Sequence, residues 1–135
     1  MRARADRLEH HADGSVTVVD YKTGQPPNKA KVAAGLAPQL PLEALMVARG
    51  AFDGEAPAAV ASLLFWHLKG DEDGGAERPA CGDVPAVLAA AALAGLERLI
   101  DHYDQATTAY PPRPKPRAAP TRDYDHLSRL GEWSS

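Results

Sequence analysis

The hydrophobic and polar residues of the chain alternate with turn residues in a way that divides it into strands and helices. Residues 3–22 predict a β-hairpin around Ala12-Asp13-Gly14, because Ser15 to Val19 is rich in β-branched residues and an Asp-Gly pair favours a turn. Val60 to Leu68 contains a continuous apolar run, Leu63-Leu64-Phe65-Trp66, which is typical of a strand covered on both faces. We therefore expect this segment in the interior of a sheet.

Two other segments have helical spacing. The first follows Pro38 and is predicted to end near Gly50. Its apolar positions are Leu42, Leu45, Met46 and Ala48. The second begins at Pro85 and runs to about Tyr103. Its apolar positions are Leu88, Ala92, Leu96 and Leu99, spaced by four, four and three residues.

The remaining segments are rich in glycine, proline and charge. Residues 23–27 predict a loop, which a short helical turn follows around Lys29 to Ala34, and residues 69–83 predict a polar loop. Five prolines between residues 111 and 120 predict an extended basic linker, and residues 124–133 are expected to dock back as a short helix. The chain thus divides into a core of residues 1–110 and a tail of residues 111–135.

Composition limits the possible classes of protein. A length of 135 residues suits one domain, and 44% hydrophobic with 24% charged residues is ordinary for a globular chain. No apolar run approaches the roughly 20 residues of a membrane span, and the single cysteine, Cys81, excludes an internal disulfide. We therefore expect a cytoplasmic protein without membrane partners.

Charge is unevenly distributed although the net charge is only −3. Residues 1–50 carry seven basic and five acidic side chains, residues 51–110 carry three and ten, and residues 111–135 carry five and three. The two mildly basic ends are compatible with a phosphate-binding surface and equally with scattered solvated charge. Charge alone does not distinguish these two interpretations.

The candidate chemistry lies in the predicted hairpin. Residues two apart on a strand point to the same face, about 6.6 Å apart, so Asp20 and Lys22 share a face from which Tyr21 points away. With a three-residue turn whose glycine is left-handed, residues whose numbers sum to 26 pair across the hairpin. Asp6 then faces Asp20, whereas a two-residue turn would send the two aspartates to opposite faces.

Two carboxylates opposed across strands repel each other unless a positive group lies between them. Oxygen ligands favour a hard divalent ion such as Mg²⁺ or Mn²⁺, so Asp6 and Asp20 are candidate metal ligands. Lys22 lies one step further along the same face, where it can stabilise a phosphodiester transition state. An isolated Asp-x-Lys is also compatible with an ordinary exposed ion pair of little energetic value.

Three motifs resemble those of RecB-type nucleases of the PD-(D/E)xK class in order and spacing. They are Arg4-Ala5-Asp6-Arg7-Leu8-Glu9, Asp20-Tyr21-Lys22-Thr23-Gly24 and Pro38-Gln39-Leu40-Pro41-Leu42-Glu43. The closing segment, residues 124–134, resembles the end of AddB proteins, subunits of bacterial double-strand-break helicase-nucleases. The resemblance implies an α/β fold, with a restriction-endonuclease-like mixed sheet and flanking helices.

The resemblance also implies roles for particular residues. Asp6 and Asp20 would bind Mg²⁺, with Mn²⁺ as an alternative, and Lys22 would be catalytic together with Asp20. Gln39, at the start of its helix, would help to place the DNA or the attacking water. The family usually has an aromatic residue four positions later, where this chain has Glu43, and the role of that position stays open.

Two features depart from the family. The helix that precedes the first strand, with its further metal ligand, is expected to be absent, so the core would be partial and the isolated chain weakly active or inactive. With Cys81 alone, no iron-sulfur cluster is expected.

The predicted function is metal-dependent cleavage of single- and double-stranded DNA ends in break repair and recombination. The chain would act as a DNA exonuclease beside a helicase-nuclease partner subunit of the AddA type. The alternative is a non-catalytic module that grips DNA or the partner.

Overall fold

The computed structural model describes residues 3–70, 72, 74–82 and 84–110. The predicted linker at 111–120 and the predicted helix at 124–133 lie outside these residues. The chain divides into two compact units, Met1–Glu97 and Arg98–Ser135, and the sheet belongs to the first.

The described residues form an α/β fold with a four-stranded mixed sheet. The elements are, in chain order, β1 (Arg7–His10), β2 (Val16–Lys22), α1 (Lys29–Ala33), α2 (Gln39–Ala48), β3 (Val60–Leu68), β4 (Gly75–Pro79) and α3 (Pro85–Tyr103). The strands lie side by side in the order β1-β2-β3-β4; β2 and β3 are parallel, and both outer pairs are antiparallel. This mixed sheet with flanking helices is the fold that the sequence predicted.

The hairpin of β1 and β2 has the three-residue turn on which the pairing of Asp6 with Asp20 depends. The His11 amide donates to the Ser15 carbonyl at 2.9 Å and closes a loop of Ala12, Asp13 and Gly14, in which Gly14 has φ +82°. Arg7 then pairs with Val19, and each later pair likewise sums to 26. The register prediction is therefore confirmed.

The parallel pairing of β2 with β3 requires the chain to cross over the sheet between them. Helices α1 and α2 make that connection, and α2 packs against both strands. The core between helix and sheet consists of small and branched aliphatic side chains and one aromatic ring, that of Phe65. Its buried members are Val16, Val18, Val32, Leu40, Ala44, Val47, Leu63, Phe65, Ala80 and Ala89.

Helix α2 begins and ends where its sequence requires. Pro41 lies in the first turn, where its missing amide hydrogen has no partner within the helix. At the other end the Gly50 amide donates to the Val47 carbonyl and the Ala51 amide to the Met46 carbonyl, with Gly50 at φ +60°. This pattern is a Schellman motif, in which glycine avoids the steric cost of the left-handed conformation.

The buried face of α2 differs from the predicted one. Of the four predicted apolar positions only Met46 is buried, whereas Leu42 and Leu45 are half-buried and Ala48 is exposed. The buried residues are Leu40, Pro41, Glu43, Ala44, Met46 and Val47. The helix is therefore rotated relative to the prediction, and it turns a carboxylate toward the sheet.

Strand β3 has its predicted bounds and lies inside the sheet, between β2 and β4. Burial alternates along the strand. Leu63 and Phe65 are buried, whereas Leu64 and Trp66 are only half-buried. The prediction of a polar loop over residues 69–83 is wrong in part, since β4 lies within it. Among the strands that the structure describes, β4 pairs with β3 and with no other, and most of its residues are exposed. This explains why β4 carries no apolar pattern.

Beside the turn, His10 and His11 are exposed. The His11 Nε2 nevertheless lies 2.8 Å from the Thr17 hydroxyl, which lies 2.9 Å from the Ser62 hydroxyl. Thr17 is buried, so these contacts satisfy a hydroxyl that would otherwise destabilise the sheet.

The second unit contains the end of α3 and the residues that follow it. The Thr108 hydroxyl donates to the His102 carbonyl at 2.7 Å, and the Tyr110 hydroxyl donates to the Tyr103 carbonyl at 3.2 Å. The rings of Tyr103 and Tyr110 stack with centroids 4.8 Å apart. Of the helices in the described part of the chain, none is long and apolar enough to cross a membrane.

The first prediction concerns the turn that sets the register. Gly14→Ala should lower the free energy of unfolding by about 1–2 kcal/mol, because a side chain at φ +82° is strained even in open space. The matched control is Gly24→Ala, since Gly24 also has no atom within 4 Å of an added Cβ but lacks a positive φ. Urea unfolding measures both variants, and equal stabilities would contradict the prediction.

Candidate active site

The candidate site lies at the carboxyl end of β2, where a parallel strand of an α/β sheet commonly presents its ligand-binding residues. Asp20 and Lys22 are on the same face of β2, and α2 begins beside them at Gln39. The structure brings these three predicted residues into mutual contact.

Asp20 is the buried centre of the site, with only 2% of its surface exposed. Its Oδ1 accepts a hydrogen bond of 2.6 Å from the Gln39 Nε2. Its Oδ2 lies 2.7 Å from the Lys22 Nζ. The ammonium is thus the counter-charge of Oδ2, which has no hydrogen-bond partner besides this ion pair.

Lys22 and Gln39 link the strand to the helix. The Lys22 ammonium donates to the Gln39 Oε1 at 3.4 Å, a long and weak hydrogen bond, while the other end of the same amide donates to Asp20. The amide therefore has its oxygen toward the cation and its nitrogen toward the carboxylate. This arrangement fixes the orientation of Gln39, although the residue as a whole is exposed.

Glu43 also belongs to the site, and the sequence left its role open. Gln39 and Glu43 are four residues apart on α2 and therefore share a face of the helix. The Gln39 Nε2 donates to the Glu43 Oε1 at 3.3 Å, and the Glu43 Oε2 has no hydrogen-bond partner although it is buried. Only 3% of the Glu43 surface is exposed.

Burial raises the pKa of the Glu43 carboxyl, because the charged form loses its hydration. The hydrogen bond from Gln39 opposes this rise, and the negative charges of Asp20 and Asp6 add to it. Three carboxylates are thus close enough to influence one another electrostatically.

Asp6 lies just before β1, and the hairpin register puts it opposite Asp20. Its side chain is exposed, and its Oδ2 accepts a hydrogen bond of 3.0 Å from the Tyr21 amide. The carboxylate thus extends the pairing of the two strands by one side-chain hydrogen bond. Its predicted role as a metal ligand stays a prediction.

The opposite face of the sheet carries an aromatic cluster. Tyr21 points away from Asp20 and Lys22, and its ring packs edge-on against Trp66 with centroids 5.6 Å apart. The Arg7 guanidinium lies 4.9 Å from the centre of the Trp66 ring. This cluster covers the back of the strand that bears the site.

The donor set of the site suits a hard divalent cation. Asp20, Glu43 and Asp6 offer oxygen atoms only, and two buried carboxylate oxygens, Asp20 Oδ2 and Glu43 Oε2, have no hydrogen-bond donor. Among the residues that the structure describes, no three His, Cys, Asp or Glu side chains are grouped to hold a metal ion by themselves. One or two of these carboxylates with water would meet the requirements of Mg²⁺.

Comparison with known proteins supports this chemistry. Residues 1–122 match the profile of the PD-(D/E)XK nuclease superfamily, whose members typically use a divalent metal and act on nucleic acids. Uncharacterized proteins of Rickettsia bellii (strain RML369-C) and Rickettsia conorii (strain ATCC VR-613 / Malish 7) are similar to this chain. They are 43% identical over 49 residues and 44% identical over 48 residues.

Each of these two matches covers 36% of this chain and 6% of the relative. The matched segment is thus a small part of much longer proteins. No solved structure matches the chain.

The site predicts how stability depends on pH. In metal-free protein with a chelator, Glu43→Gln should raise the melting temperature at pH 8, because it removes a buried charge. The pKa of Glu43 is raised in the folded state. The charge therefore destabilises the fold increasingly as the pH rises above the ordinary glutamate value of about 4.3 and through the folded pKa.

The gain should therefore be larger at pH 8 than at pH 4.5, because the raised pKa keeps more of the Glu43 carboxyl protonated in the folded protein at the lower pH. Differential scanning calorimetry of the parent and the variant at pH 4.5 and at pH 8 measures this gain in melting temperature. A variant that is less stable than the parent at pH 8 would mean that the charge of Glu43 holds the fold together.

Proposed function

The chain belongs to the PD-(D/E)XK nuclease superfamily, and from this premise we propose that it hydrolyses phosphodiester bonds of DNA with a divalent cation. The observation that carries the proposal is the mutual contact of Asp20, Lys22 and Gln39 at the carboxyl end of β2. A carboxylate, an ammonium and an oriented amide are the groups that this reaction needs around a phosphate.

The proposal gives each residue of the site a role. Asp6 and Asp20 would hold Mg²⁺ or Mn²⁺ through carboxylate oxygens. A bound divalent cation lowers the pKa of a water molecule and offsets negative charge on the phosphate oxygens.

Lys22 presents its ammonium beside Asp20, where it can neutralise charge that develops on the phosphate in the transition state. The Gln39 amide donates to Asp20 and Glu43 and accepts from Lys22, so its oxygen keeps a second lone pair with which it would accept a hydrogen bond from the attacking water.

We further propose that the chain acts at DNA ends as an exonuclease, as part of an AddB-type subunit beside a helicase-nuclease partner of the AddA type. The order and spacing of the three motifs, together with the sequence of residues 124–134, support this assignment. Processing of broken DNA ends for recombinational repair would then be its biological role.

A non-catalytic module that grips DNA is the second candidate. The observation in its favour is that the Lys22 ammonium already neutralises Asp20, while the described part of the chain groups no three metal-ligating side chains. Such a module would bind DNA ends without cutting them.

Cleavage by the protein expressed from its complete reading frame tests the proposal. With millimolar Mg²⁺, Lys22→Ala should lower the cleavage rate at least about 100-fold, because an electrostatic group is lost from the transition state. Lys31→Ala, which removes an exposed lysine of α1, is the matched control and should stay within twofold. A chelator should abolish cleavage by both the parent and the control.

Lys22→Ala also removes the counter-charge of a buried carboxylate, which costs stability. The rates are therefore compared at a temperature at which circular dichroism shows both variants folded. A parent protein that binds DNA ends without cutting them at any metal concentration would support the non-catalytic module instead. Undiminished cleavage by Lys22→Ala would contradict the role of Lys22.

The requirement for an end gives a further prediction. Linear single- and double-stranded DNA should be degraded, whereas a covalently closed circle of the same sequence should stay intact. Gel electrophoresis of both substrates in one reaction measures the difference. Equal loss of circle and linear DNA would establish an endonuclease and contradict the role at DNA ends.

A further inference from the structure

The Glu43 carboxylate lies at a position where burial is costly. Its neighbours on the buried face of α2 are apolar, and a carboxylate with only 3% of its surface exposed loses most of its hydration. One of its oxygens, Oε1, is satisfied by Gln39, and the other, Oε2, has no donor. A buried oxygen without a donor lowers stability unless a ligand occupies the place beside it.

Glu43 and Asp20 meet at one amide group. The Gln39 Nε2 donates to the Asp20 Oδ1 at 2.6 Å and to the Glu43 Oε1 at 3.3 Å. Each carboxylate is at least nine-tenths buried. The second oxygen of Asp20 has the Lys22 ammonium as its counter-charge at 2.7 Å, whereas the second oxygen of Glu43 has no hydrogen-bond partner. The fold therefore holds a weakly positive NH₂ group between two carboxylates that repel each other.

A divalent cation is a better partner than an amide for this pair. Carboxylate oxygens are hard ligands, and Mg²⁺ is commonly held by one or two carboxylates with water in its remaining positions. The Asp20 carboxylate from β2 and the Glu43 carboxylate from α2 would supply two such ligands, in addition to the more exposed Asp6.

We propose that Glu43 is a protein ligand of the divalent cation bound at Asp20, so that α2 supplies part of the metal site. This inference rests on the proposed function, since it concerns the cation of the same site. It gives Gln39 a second role, because the amide that bridges the two carboxylates keeps them together when the cation is absent. It also explains why a carboxylate occupies the buried face of α2.

Metal affinity, measured without DNA and without reference to cleavage, tests the inference. Isothermal titration calorimetry with MnCl₂ is performed on the whole chain and on the variants Glu43→Gln, Asp20→Asn and Glu97→Gln. Glu43→Gln should weaken Mn²⁺ binding at least about 10-fold, as loss of a group that shapes a metal site commonly does, and Asp20→Asn should do the same. Glu97→Gln changes an exposed helical glutamate and should stay within twofold.

Glu43→Gln keeps the size of the side chain and removes a buried charge, so a loss of affinity would not result from unfolding; melting curves of the metal-free variants check this. Mn²⁺ binding by Glu43→Gln equal to that of the parent, with Asp20→Asn impaired, would overturn the inference and leave the proposed function intact. No Mn²⁺ binding by the parent would overturn the inference and the metal dependence together. Normal Mn²⁺ binding without any DNA cleavage would refute only the nuclease proposal.

Discussion

The burial of the Asp20 carboxylate is the constraint on which the arrangement of the site depends. A charge with 2% of its surface exposed is stable only when opposite charge and hydrogen-bond donors surround it. Lys22 supplies the charge from the same strand, and Gln39 supplies the donor from α2. The strand and the helix are therefore joined by polar contacts as well as by their apolar core.

This dependence couples stability to chemistry. From the sequence alone, Asp20 and Lys22 were also compatible with an exposed ion pair of little energetic value. The contact of Lys22 with a buried carboxylate instead makes it part of the balance of charge in the fold. Glu43 has the opposite effect on stability, because its desolvated charge destabilises the metal-free protein. Sites that bind metals commonly hold such unfavourable groups in place, since the cation offsets their repulsion when it binds.

The turn at Ala12-Asp13-Gly14 sets the position of Asp6 relative to the site. It fixes which residues of β1 and β2 are opposite each other. A shift of one residue would put Asp6 on the face opposite to Asp20 and Lys22, whose own face is set by the pairing of β2 with β3. The turn thus decides whether the Asp6 carboxylate shares a face with the site.

The sequence by itself determined the features that depend on neighbouring residues. The hairpin register follows from a three-residue turn and the alternation of strand residues, and the bounds of β3 and α3 follow from local apolar patterns and from Pro85. Strand β4 escaped prediction, because an exposed strand that pairs on one side needs no apolar pattern and is stabilised by its bonds to β3.

Only the tertiary structure decided that Glu43 is buried. Helical spacing puts it on the same face as Gln39, but the rotation of α2 over β2 and β3 results from packing among distant side chains. No local pattern encodes that rotation. It places the Glu43 carboxylate on the buried side of α2, close to Asp20.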